Sequence, residues 1–127
     1  MSTTVEALVS AVRSRIRELS PAGYAAWRAR DHVLVDVREP GQFAQGHLPG
    51  AVSLARGVLE FRIHAHPALA VEEPPAQRRR MRVQHCPAGG RSALAADSLE
   101  ALGFIDVHSL AGGLEAWRNA GFPAISE

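Results

Sequence analysis

The chain has 127 residues, 46% of them apolar and 21% charged, which suits one hydrophobic core and excludes a disordered or fibrous protein. Its 14 basic residues, all of them arginine, balance 13 acidic ones, and the formal charge of +1 excludes the strong field of a nucleic-acid or acidic-membrane binder. No apolar run approaches the ~20 residues needed to cross a bilayer and no secretory leader is evident, so the default expectation is cytoplasmic.

Val5, Leu8, Val9, Val12, Ile16 and Leu19 recur at three- and four-residue steps, which predicts an amphipathic helix over residues 1–19, ahead of a domain over 20–127. Ser20 is a helix cap and Pro21 a first helical residue, for a helix through Tyr24 and Trp27. Val33, Leu34, Val35 and Val37 around Asp36 predict a strand covered on both faces. The segment Gly41 to Ala51 is read as turn, Val52 to Leu54 as a short strand, and Val58, Leu59 and Phe61 as a helical turn. His64 to Glu73 with Pro74 and Pro75 is read as an exposed excursion. Met81, Val83 and His85 alternate as a strand that ends at Cys86. A helix follows with Ala95, Leu99 and Leu102 on one face and Gly103 as a left-handed cap, then a strand from Ile105 to Leu110 and a helix from Gly112 to Asn119. Such alternation predicts an α/β domain with a mainly parallel sheet flanked by helices.

Cys86 is the only cysteine, so an internal disulfide and a multi-cysteine zinc site are excluded. An unplaced lone cysteine is commonly a small buried hydrophobe. Here it stands at a strand end, followed by Pro87, Ala88, Gly89, Gly90, Arg91 and Ser92 at the start of a helix. Glycines permit the dihedrals that let backbone N–H groups of residues 88–92 converge on one anion. With Arg91 and the positive helix start, these donors favour a thiolate and would hold an anionic persulfide. Pro87 removes one N–H from that cradle.

The loop, a cysteine, four residues, an arginine and a serine, resembles the active-site loop of the rhodanese family. Asp36, Val37, Arg38 and Glu39 resemble the family's DVRE strand end. Gly46 to Ala51 resemble its GHIPGA turn, and Leu110 to Trp117 its LAGGFEAW segment. The four motifs come in the family's order between Val33 and Pro123. The resemblance implies a three-layer rhodanese-like domain with Cys86 as nucleophile, and no metal or organic cofactor. It also implies that Asp36 and Arg38 hold the turn beneath the site. Family members usually carry an acid where this chain has Gln42, so a neutral Arg38–Gln42 hydrogen bond is expected. Phosphatases and arsenate reductases of similar fold have one more loop residue, a ring that fits a tetrahedral oxyanion, whereas four intervening residues point to sulfur. His85 directly before Cys86 is similar to the phosphatase signature, but a strand-end histidine is more often packing.

Other residues have two readings each. His47 is a structural hydrogen-bond donor or a general acid. Arg56, in a stretch similar to one beside the mouth of some single-domain rhodaneses, contacts an anionic donor or pairs with Glu60 at helical spacing. His64 and His66 lack a third metal ligand. Arg78, Arg79, Arg80 and Arg82 form a solvated edge or an anion-attracting run, and Leu114 and Trp117 are core.

The expected function is a sulfurtransferase that moves sulfane sulfur through a Cys86 persulfide, from a donor such as thiosulfate to a thiol or cyanide. The donor-binding set is Ala88, Gly89, Gly90, Arg91, Ser92 and Arg56. A protein acceptor is a further candidate partner; nucleic acid and membrane are not expected. The alternatives are a persulfide-binding or sensing module with little turnover, and a phosphatase or arsenate reductase.

Overall fold

The computed structural model describes residues 4–63, 82–85 and 89–126, with 82–85 as backbone. Cys86, Pro87 and Ala88, the excursion with His64, His66, Pro74 and Pro75, and the Arg78–Arg80 run lie outside the described residues, as does the side chain of Arg82. In chain order the elements are α1 (Val5–Arg13), β1 (Arg17–Leu19), α2 (Pro21–Trp27), β2 (Val33–Asp36), α3 (Pro40–Gln45) and β3 (Val52–Ser53). A 3₁₀ turn (Arg56–Val58) then leads into α4 (Leu59–Arg62), followed by β4 (Arg82–His85), α5 (Gly90–Ala101), β5 (Val107–Leu110) and α6 (Gly113–Asn119).

The described strands form one sheet in the order β1-β5-β4-β2-β3, with every strand pair parallel. Parallel neighbours require crossovers, and the helices supply them on both faces. Val33, Val35 and Val107 pack with Leu59 and Ile63 on one side, beneath Ala95, Ala96 and Leu99 of α5. Leu34 and Leu110 face the other side, with Tyr24 of α2 and with Leu114 and Trp117 of α6. This is the expected three-layer α/β arrangement. Each fully buried large apolar side chain, such as Leu59 or Leu99, contributes about 1.5–3 kcal/mol.

Parallel pairing brings the strand ends together. Asp36 is level with both Ser53 and His85, and Leu19 is level with Leu110. His85, level with Asp36, therefore ends β4 at the C-terminal edge of the sheet. In open α/β sheets that edge is where ligands bind. No described helix is long and apolar enough to cross a membrane.

Two expectations are corrected. The helix read over residues 1–19 ends at Arg13, and residues 17–19 form the edge strand β1, so the sheet itself begins before residue 20. Ile16 and Leu19 fit the helical spacing because they lie three apart. In extended chain the same odd spacing sends them to opposite faces, and Ile16 packs on one core cluster while Leu19 packs on the other. On α1, Val12 is buried but Val5 and Leu8 are exposed, so only the C-terminal half of the apolar stripe is seated, against α5. The segment Gly41 to Ala51, read as turn, is helix α3 over residues 41–45 and non-helical from Gly46 on. Pro40 supplies the first helical residue, and Gln42 Oε1 accepts from Glu39 N at 3.1 Å. Six residues are too few for a periodic signal, and the glycine and glutamines masked the cap.

Candidate active site

The site is assembled along the C-terminal edge from the ends of β2 and β5 and the start of α5. At the end of β2, Arg38 donates from Nε and Nη2 to the Asp36 carboxylate at 2.7–3.2 Å, and from Nη2 also to the Gly46 carbonyl. The Arg38 backbone N–H adds a bond to Asp36 Oδ1 at 2.9 Å. Asp36 is fully buried and Arg38 nearly so. An ion pair this deep needs every lone pair satisfied, and the fork together with the backbone bond supplies that. The pair fastens the strand end to the turn at Gly46, as the family resemblance implied. Arg38 is therefore directed at Asp36 and Gly46, not at Gln42 as expected. Asp36 supplies the carboxylate that position 42 lacks, and Gln42 caps α3 instead.

His47, buried, places Nδ1 2.9 Å from the Phe43 carbonyl and stacks on the Phe43 ring at 3.7 Å between centroids. Its backbone pairs both ways with Ile125, which gives it the structural role of its two readings.

Gly89 precedes the first turn of α5 with φ 97° and ψ −12°, a conformation that glycine adopts without strain. A Cβ there would lie 2.9 Å from Arg13 Nη2 and 3.1 Å from the Gly112 backbone N, so a side chain would have to displace the guanidinium and press on the α6 backbone. Ser92, fully buried, lies 2.8 Å from Ser109 Oγ on β5 and 3.2 Å from the Gly89 carbonyl. A Ser92 hydroxyl that donates to Gly89 accepts from Ser109, and the start of α5 is tied to β5. Arg91 is exposed and its Nη1 donates to Gln42 Oε1 at 3.4 Å, a long bond that turns the guanidinium toward α3. Gln42 and Arg38 also line an open cleft of about 350 Å³ with Leu114, Glu115, Arg118 and Asn119.

The structure thus sets Gly89, Gly90, Arg91 and Ser92 at the start of α5, while Ala88 and Cys86 lie outside the described residues. It does not bring Arg56 to them. Arg56 Nη1 donates to both Glu60 oxygens at 3.0 Å and Nη2 to Ser98 Oγ at 2.8 Å. Ser98 is about 9 Å along the helix from Ser92. Partial burial raises the Glu60 carboxyl, but bonds from its own backbone, Arg56 and Ser98, with the charge of Arg56, outweigh that and hold it below its ordinary value. Arg56 has the helical ion-pair role of its two readings. Trp117, fully buried with Nε1 donating to the Pro123 carbonyl, and Leu114 are core.

Two residues of this edge had no sequence signal. Ser109 sits inside a strand, where a serine every few residues is unremarkable. Arg13 closes a helix far from the loop in sequence, and only the docking of α1 on α5 brings it to Gly89.

A model of the rhodanese-like domain family matches residues 20–120. The thiosulfate sulfurtransferase GlpE of Pseudomonas entomophila is 34% identical over 110 residues, which cover 84% of this chain and 88% of that protein. A sulfurtransferase of Allochromatium vinosum is 32% identical over 96 residues, covering 76% of this chain and 80% of its own. A solved structure from Rhodopseudomonas palustris, described as of unknown function and a possible tyrosine phosphatase, superposes with a TM-score of 0.83 at 35% identity. It spans 98% of this chain and 96% of that one.

Proposed function

The chain belongs to the rhodanese-like family, and from that premise we propose that it is a thiosulfate sulfurtransferase that carries sulfur as a persulfide on Cys86. The observation that carries this reading is the left-handed Gly89, which opens α5 at the C-terminal edge shortly after Cys86 in sequence. The names of the relatives from Pseudomonas entomophila and Allochromatium vinosum support sulfur transfer, and the first supports thiosulfate as donor.

In the first step the Cys86 thiolate attacks the outer sulfur of thiosulfate. The S–S bond of the donor breaks, sulfite departs with the electron pair, and an anionic persulfide remains on the protein. In the second, cyanide or a thiolate attacks the terminal sulfur, the new S–S bond breaks, and the Cys86 thiolate is restored. Charge and electrons balance without an external oxidant or cofactor. A helix start presents backbone N–H groups to an anion, and the loop of residues 88–92 is the proposed cradle for the anionic sulfur. Ser92 holds that turn to β5, and Arg91 adds positive charge at the rim. Arg56, bound to Glu60 and Ser98, is left out of the proposed donor-binding set.

Thiosulfate-dependent cyanolysis tests the reading directly. Wild type should form thiocyanate and a sulfur adduct on Cys86 by mass spectrometry, and Cys86→Ser should form neither; equal rates in the two proteins would sink it. A hydrolase reading has one specific support, the description of the Rhodopseudomonas palustris structure. Release of phosphate from an aryl phosphate, lost in Cys86→Ser, would favour it.

A further inference from the structure

Arg13 closes α1, ahead of the family match that begins at residue 20. Its Nη2 lies 2.9 Å from the place a Gly89 Cβ would occupy, and that place is 3.1 Å from the Gly112 backbone N. The end of α1, the residue that opens α5 and the residue that opens α6 therefore meet at one point of the C-terminal edge. Val9 reaches the same region, 3.9 Å from the corresponding place on Gly90. Gly89, lacking a Cβ, thus leaves room for a guanidinium supplied by a segment that the family match does not include.

Arg13 Nε is 3.5 Å from Glu18 Oε2, and the two side chains are 40% and 30% exposed. At that distance the pair lacks the short two-bond fork of a strong carboxylate contact, so the charge is only partly offset and stays within reach of solutes. The negative end of α1 favours a cation, but the start of α5 disfavours one, because a helix start and a guanidinium are both positive. An anion seated between them would relieve that repulsion. From this placement we infer that Arg13 is a further donor-binding residue, a cation from the N-terminal helix that attracts the dianionic sulfur donor to the mouth of the loop. The inference rests on the sulfurtransferase reading. Its chemistry is recognition of the sulfonate oxygens of thiosulfate by a guanidinium.

The full chain, with thiosulfate as the probe and cyanide as acceptor, provides the test. Arg13→Gln should raise the KM for thiosulfate about fivefold, the effect of losing one half-exposed charge contact, with kcat changed less than about twofold. It should also flatten the fall of kcat/KM with added salt. Arg13→Lys, which keeps the charge but not the fork, should hold KM within about twofold of wild type. Arg17→Ala removes the same charge from a side chain bonded to the Ile105 carbonyl at the opposite end of β5, and should leave KM and salt dependence unchanged. An unaltered KM in Arg13→Gln, or a loss in Arg13→Lys as large as in Arg13→Gln, would overturn the inference. A wild-type chain that does not turn thiosulfate over would overturn the functional reading and this inference with it. Turnover in wild type with Arg13→Gln unchanged would overturn this inference alone.

Discussion

Where β2 ends, the C-terminal edge is held by charge, with the Arg38 guanidinium forked onto a fully buried Asp36 and bonded to Gly46. Where α5 begins, it is held by a glycine turn and two hydroxyls, Gly89 packed against Gly112 and Ser92 bonded to Ser109. Both corners fasten a strand end to the element beside it, yet only one uses ionised groups. The difference follows from what each corner must tolerate. Asp36 and Arg38 cancel within one contact and add little net field over the loop. A carboxylate at position 92 or 109 would instead repel an anionic sulfur and compete for the backbone N–H groups that hold it. Hydroxyls give the same mechanical tie without that cost.

Asp36→Asn is the strongest way to break the comparison. It leaves the Arg38 charge buried without its counterion and should lower stability by about 3–5 kcal/mol in urea unfolding, a large part of what a domain of this size possesses. Gly89→Ala attacks the other corner. The left-handed φ and the clash with Arg13 and Gly112 should cost about 1–3 kcal/mol, with a loss of cyanolysis beyond what the unfolded fraction explains. The hydroxyl tie is the smallest term. Ser92→Ala should cost about 1–2 kcal/mol because it strands Ser109, and Ser92→Ala with Ser109→Ala should cost less than the two single changes summed. Additive losses in that cycle would show that the hydroxyls do not act on each other.

Much of the fold was legible in residue order. The β-branched run at Val33, the cap at Ser20, the left-handed Gly103 and the glycine turn at Gly89 are local signals, and local backbone preference is what residue type encodes most directly. The helix read through Leu19 failed because a three-residue step satisfies one helical face and also the two faces of a strand. Pairing with β5 decided between them. Arg38 fared similarly. Its charge and position are plain in the sequence, but whether it meets Gln42 or Asp36 depends on rotamer and burial, and the ionised acceptor inside a dry corner prevailed.

The sequence by itself determined the parallel α/β class, the single thiol and the glycine turn that follows it, because these depend on residue types over short spans. Tertiary structure alone decided that residues 17–19 complete the sheet, that Arg56 also bonds Ser98, and that Arg13 arrives beside Gly89. Those contacts join segments distant in the chain, and such contacts come from packing three layers around one sheet. No short-range preference records them.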